Sequence, residues 1–141
     1  MKELTRINKY ISETGLCSRR EADRLVASGV VTVNGQRAEM GTKVCDDDKI
    51  LINQRPLLKK RKRVYLAFHK PPGITCTTDL KDKTNIIEFI HYHERIFPIG
   101  RLDKMSEGLI FLTNDGDIVN KILRAGNNHE KEYMVTVNRP I

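Results

Sequence analysis

With 141 residues and 39% hydrophobic content the chain can bury a core, but it holds no apolar run long enough to cross a membrane as a helix. Lysine and arginine number 25 against 18 aspartates and glutamates, a formal charge of +7 that favours an anionic partner such as nucleic acid, with a plainly solvated basic surface as the alternative. Cys17, Cys45 and Cys76 are odd in number and far apart, with no CxxC and no histidine at ligand spacing; together with an N-terminus that carries no export signal, this argues against structural zinc and for a soluble, cytoplasmic protein.

Leu4, Ile7 and Ile11 recur at helical spacing while Arg6 and Lys9 fall off the stripe, which predicts a short amphipathic helix over 5–14 that closes near Gly15. Ser18 and Glu21 then have the spacing of a capping box, and Ala22, Leu25 and Val26 give the helix behind it an apolar face. Arg19, Arg20 and Arg24 are left on the exposed side, as a solvated face or as phosphate contacts. In VVTVNGQRA, β-branched residues lead into Asn34 and Gly35, the pair that accepts a type I′ hairpin turn. KILIN is a further short strand after the acidic turn Asp46, Asp47 and Asp48.

The stretch RPLLKKRKR, Arg55 to Arg63, holds six basic residues and no acidic one. It is expected to be a linker, either merely solvated or following a phosphate backbone without reading bases. Beyond it, Val64, Leu66 and Phe68 alternate in a strand pattern halted by KPPG, where Gly73 fixes a turn. Asn85 and Glu88 repeat the capping-box spacing and, with Ile86, Ile87, Phe89 and Ile90, predict a helix over 85–92. GLIFLT is expected to be a buried strand with NDGD as its turn, followed by a short helix through Val119, Ile122 and Leu123. EYMVTV starts another strand only a few residues before Ile141, the pattern of an interrupted domain.

These motifs resemble a known family. RINKYISETGLCSRREADRLVASGVVTVNGQ, within residues 6–54, is similar to an S4-type RNA-binding domain. HKPPG at His69–Gly73, GRLDKMSEGLIFLTNDG at Gly100–Gly116 and KEY at Lys131–Tyr133 resemble the first part of the catalytic domain of RsuA-type pseudouridine synthases. Within that family, FPIGRLD and KILRAGN resemble the synthase F group, which acts on ribosomal RNA of the large subunit. The resemblance implies an α+β chain: a small S4-like RNA-binding domain over 1–54, a basic linker over 55–63, and over 64–141 the N-terminal part of a mixed α/β catalytic domain.

The resemblance further implies an isomerase that detaches uracil from ribose, turns it and rejoins it through C5, with no cofactor and no metal. Structured ribosomal RNA would be the substrate, with transfer RNA as a second class, and the protein a monomer away from membranes. Asp103 aligns with the family's catalytic aspartate, acting by attack at the sugar or by proton abstraction, two routes the sequence leaves open. Arg101 would be a cation near the extruded nucleotide, and Tyr133 would lie against the base.

Arg6, Lys9, Arg19, Arg20 and Arg24 are the S4-like binding candidates. Lys59, Lys60, Arg61, Lys62 and Arg63 in the linker are the further RNA contacts, joined by Lys131 as RNA contact or electrostatic support and by Lys70, which presents the loop, contacts phosphate or is an ordinary surface residue. His69 is taken as structural, and Ser106 stands where the family often has threonine. From spacing alone, Arg101 and Asp103 would share one face of an extended segment, where the guanidinium favours the ionised carboxylate; an ordinary surface ion pair is the alternative. The family's catalytic domain continues beyond KEYMVTV, so the competing reading is an RNA-binding protein without turnover.

Overall fold

The computed structural model describes residues 4–58, 61–124, 130 and 132–139. In chain order the elements are β1 (Thr5–Arg6), α1 (Ile7–Glu13), α2 (Arg19–Ala27), β2 (Val31–Val33), β3 (Gln36–Arg37), β4 (Lys43–Val44), β5 (Ile50–Ile52) and β6 (Arg55–Pro56). They continue with β7 (Tyr65–Lys70), α3 (Ile86–Ile90), β8 (Phe97–Ile99), β9 (Gly108–Thr113) and α4 (Gly116–Leu123). Two separate buried clusters divide them, one under α1, α2 and the strands to β6, the other under the sheet formed by β7, β8 and β9.

In the first body, the helix expected over 5–14 gives up its first two residues to a strand. Arg6 is extended and pairs with Lys43, and the Ile7 amide donates to the Thr42 carbonyl at 2.8 Å, so Leu4 is left exposed rather than on the helical stripe. Ile7 and Ile11 stay buried, as the spacing requires. α2 starts where the capping pattern places it, with the Ser18 hydroxyl accepting from the Glu21 amide at 3.2 Å and satisfying one of the helix's orphan donors. Ala22 and Val26 meet Ile7, Ile11, Val31, Val44 and Ile50 in the first core.

Asn34 and Gly35 have φ of 52° and 85°, the doubly left-handed pair of a type I′ turn, and they join β2 to β3. A second turn of this kind joins β5 to β6 through Asn53 and Gln54, with φ of 49° and 64°. Arg55 and Pro56, expected in the basic linker, are therefore strand, completing the order β3-β2-β5-β6, and Leu57 packs on the first core.

In the second body β9 is the central strand, antiparallel to both β7 and β8, with Leu66 opposite Leu112 and Phe68 opposite Ile110. β8 was not expected as a strand. Its Pro98 is tolerated because β8 is an edge, where a missing amide breaks no ladder on the open side. GLIFLT forms the expected strand but is not buried on both faces. Ile110 and Leu112 face Ile86, Ile96 and Cys76, whereas Leu109 at 62% exposure and Phe111 at 49% lie on an uncovered face with Ala67 and His69. α3 is shorter than the expected 85–92, because His91 takes a left-handed conformation with φ of 50° and ends it. The strand expected at EYMVTV is not formed: residues 132–137 have no regular structure, and Met134 and Val135 stand exposed. Among the described residues no helix is long and apolar enough to cross a membrane.

Candidate active site and nucleic-acid interface

Asp103 sits in the loop between β8 and β9, and the KPPG turn holds that loop in place. The carbonyl oxygen of Lys104 accepts from the Gly73 amide at 2.7 Å and from the Lys70 ammonium at 3.0 Å, while Lys70 also donates to the Pro71 carbonyl at 2.9 Å. On the other side of Asp103, the Leu102 amide donates to the Cys76 sulfur at 3.4 Å, and the Leu102 side chain packs on the second core. The Ser106 amide closes the loop on the Asp103 carbonyl at 3.1 Å. These anchors are made by the backbone, and the Asp103 side chain itself is exposed to solvent.

Of the parts expected of Lys70, this arrangement keeps the presentation of the loop and removes both phosphate contact and surface exposure. Its side chain is wholly buried, with 0% exposure, so it does not reach an RNA phosphate; its charge is spent on two backbone carbonyls. The expected pairing of Arg101 with Asp103 is also absent. The segment is not a strand, and among the described residues no ion pair joins the two. Arg101 instead lines a crevice of about 470 Å3 with Thr77, Thr78, Pro98 and Leu123. Tyr133 is 77% exposed in the irregular segment, and no hydrogen bond among the described residues links it to Asp103. Lys131, Lys59 and Lys60 lie outside the described residues.

The basic candidates of the first body divide into two groups. Arg6, Arg20 and Arg24 are exposed. Lys9 and Arg19 instead meet Asp117 in the first turn of α4, at 2.7 Å and 3.9 Å. The linker is anchored similarly: Arg61 pairs with Glu94 at 3.4 Å, Arg63 with Asp115 at 3.4 Å, and the Arg61 amide donates to the Glu13 carbonyl. Lys62 keeps an exposed side chain while its carbonyl accepts from Asn114. The expectation of a solvated or RNA-tracking linker does not include these carboxylates: Asp115 lies in the NDGD turn 52 residues beyond Arg63, and Glu94 stands 33 residues beyond Arg61 with no local pattern that links the two.

Asp115 is the best-held acid of the set. Burial alone would raise its carboxyl, but hydrogen bonds from the Tyr65 hydroxyl and the amides of Asp117 and Ile118, with the Arg63 guanidinium, outweigh that and hold it below the usual aspartate range. The same bond, accepted by Asp115 at 2.9 Å, raises the Tyr65 phenol.

The model for RNA pseudouridylate synthases matches residues 64–141, and the S4 domain model matches residues 5–50. The chain belongs to the RNA pseudouridylate synthase family. It is 57% identical over 140 residues to the dual-specificity RNA pseudouridine synthase RluF of Salmonella typhi, a match covering 97% of this chain and 48% of the relative. The RluF of Escherichia coli K12 is 55% identical over 139 residues, 96% of this chain and 48% of that protein. The ribosomal large subunit pseudouridine synthase B of Bacillus subtilis is 36% identical over 137 residues, 95% and 56%. The chain spans about half the length of these curated relatives. Family membership accounts for the shared frame, an S4 body followed by a sheet whose central strand leads in from the Asp103 loop.

Proposed function

We propose that this chain is part of an enzyme that converts uridine to pseudouridine in large-subunit ribosomal RNA, with Asp103 as its catalytic carboxylate. The observation that carries the proposal is the Asp103 loop itself: pinned on both sides by Lys70, Gly73 and Cys76, it offers a carboxylate to solvent with no protein partner among the described residues. In the reaction the bond from N1 to C1′ of the ribose breaks, the uracil turns, and a bond from C5 to C1′ forms. The proton leaves C5 and N1 gains one, so the step is an isomerisation that needs no co-reactant. Asp103 serves it as nucleophile at the sugar or as base, and either role requires the ionised form.

Arg101, beside the crevice with Thr77 and Thr78, is the cation for the extruded nucleotide's phosphate. Tyr133 and Lys131 complete the site, the aromatic ring against the base and the ammonium as electrostatic support. Arg6, Arg20 and Arg24 hold structured RNA by its backbone, which gives affinity and orientation. Transfer RNA is the second substrate class, in keeping with the dual specificity in the names of two relatives. The protein acts as a monomer in the cytoplasm.

The exposure of Asp103 and Tyr133 supports a second reading, in which these 141 residues bind RNA without turning it over. Pseudouridine formation measured by mass spectrometry, on this chain and on a longer relative in parallel, separates the two. Conversion by the relative is expected to vanish with the aspartate replaced by asparagine while RNA binding persists; undiminished conversion would remove Asp103 from the mechanism.

A further inference from the structure

Lys9 on α1 and Arg19 at the start of α2 converge on one carboxylate of the second body. The Lys9 ammonium lies 2.7 Å from Oδ2 of Asp117, and Nη2 of Arg19 lies 3.9 Å from Oδ1. An ammonium on one oxygen and a guanidinium near the other is the way a pair of cations holds a phosphate as well as a carboxylate. None of the three side chains is sealed off: Arg19 and Asp117 are each more than two-fifths exposed, and Lys9 is partly so.

Next to this pair a crevice of about 260 Å3 runs between the bodies, lined by Arg19, Arg95, Phe97, Ser12, Asn120 and Glu13. Arg95 comes from the second body, with its guanidinium 5.8 Å above the Phe97 ring. The crevice thus takes one guanidinium from each body against a single carboxylate, that of Glu13, which lies 3.6 Å from Lys9. Its walls offer an RNA strand two guanidiniums, the Asn120 amide and an aromatic face, which are groups that recognise its backbone and bases.

We propose that Asp117 is an internal stand-in for an RNA phosphate. In the RNA-free protein it occupies Lys9 and Arg19. RNA binding exchanges it for a backbone phosphate that seats in the crevice between Arg19 and Arg95, and this exchange loosens the contact of α1 and α2 with α4. The inference rests on the reading of this chain as RNA-binding, and adds a subsite and a competitor to it. Exposed ion pairs exchange easily, because each contributes only about 0–1 kcal/mol in water.

The test is fluorescence anisotropy of this 141-residue chain with a labelled RNA hairpin across a salt series. Asp117→Asn keeps the side chain's shape and removes its charge. It is expected to bind about three- to tenfold more tightly, with a salt slope steeper by about one as Lys9 and Arg19 become free to release counterions. Lys9→Gln introduced into the Asp117→Asn protein should cancel most of the gain, and Arg95→Gln alone should weaken binding. Glu39→Gln, the same charge change on an exposed turn of the first body, measures the general effect of net charge.

Equal or weaker binding by Asp117→Asn, or an equal gain from Glu39→Gln, overturns the proposal, as does a gain that survives Lys9→Gln. Uridine conversion by a longer relative reports separately on the isomerase reading. Conversion without the Asp117→Asn gain sinks only the exchange, and the gain without conversion sinks only the isomerase. Absence of RNA binding by every variant overturns the exchange together with the RNA-binding reading of this chain on which it rests.

Discussion

The Lys70 ammonium donates to the Lys104 carbonyl across 3.0 Å, tying the end of β7 to the residue that follows Asp103. A fully buried ammonium bound to carbonyls anchors a loop, whereas a phosphate-binding lysine needs access to solvent. Lys70→Met should therefore leave RNA affinity and its salt slope within about twofold of the parent. Amide exchange over 102–106 should quicken by about tenfold, the loss of roughly one hydrogen bond's net worth. A drop in salt slope with unchanged exchange would return Lys70 to the RNA interface.

The one-sided burial of β9 makes a direct comparison possible. Leu112 is fully buried, and Leu112→Ala should cost about 2–5 kcal/mol in urea unfolding, the range for emptying a core leucine site. Leu109, three residues earlier on the uncovered face, should tolerate alanine within about 0.5 kcal/mol. Similar losses at both positions would mean that the face of Leu109 and Phe111 is covered in solution.

Asn85 is fully buried and holds two backbone segments at once. Its Oδ1 accepts from the Glu88 amide at 2.8 Å, capping α3, and its Nδ2 donates to the Asp82 carbonyl at 2.7 Å. Asn85→Ala should destabilise the second body by about 1–3 kcal/mol, since the cap is lost together with the side-chain hydrogen bond to the Asp82 carbonyl, which keeps only the backbone amide of residue 85. Asn85→Asp should recover the cap and not the donor, placing its melting temperature between those of the parent and the alanine variant.

Asp115 sets a pH dependence whose direction follows from its environment. Because its folded carboxyl is held below the unfolded value of about 3.9, the stability it contributes is fully present above that value. That stability is lost as pH falls through the folded value. Asp115→Asn should thus be less stable than the parent at neutral pH, and the two unfolding curves should converge as the solution is acidified below about pH 4. A gap that stayed constant down to acid pH would show that the carboxylate's charge contributes nothing.

Local signals with a short range were legible in the sequence. Ser18 with Glu21, Asn85 and the Asn34–Gly35 turn each act through the next few backbone groups, and each stands where its spacing places it. What was missed depends on partners far along the chain. Thr5 and Arg6 are strand because Lys43 and Val44 lie opposite them, and Pro98 is strand because Leu112 does. Arg55 and Pro56 extend a sheet through a turn made by Asn53 and Gln54 without a glycine, so composition gave no warning. In the candidate site, the Asp103 loop was legible through its motif, but the burial of Lys70 was not. A lysine among prolines reads as exposed until a carbonyl 34 positions away is found beneath it.

β9 runs from the loop of Asp103 toward the helix of Asp117, with only Asn114 and Asp115 between its end and the start of α4. Six extended residues make a spacer of about 17 Å between those two ends. β7 pairs all six residues and β8 pairs Phe111, Leu112 and Thr113 again, so the strand cannot shorten by half a residue and this interval behaves as a ruler. Sliding β9 by one position would turn Leu112 outward and Phe111 into the core, so the ruler's length is guarded by the packing that holds the second body together.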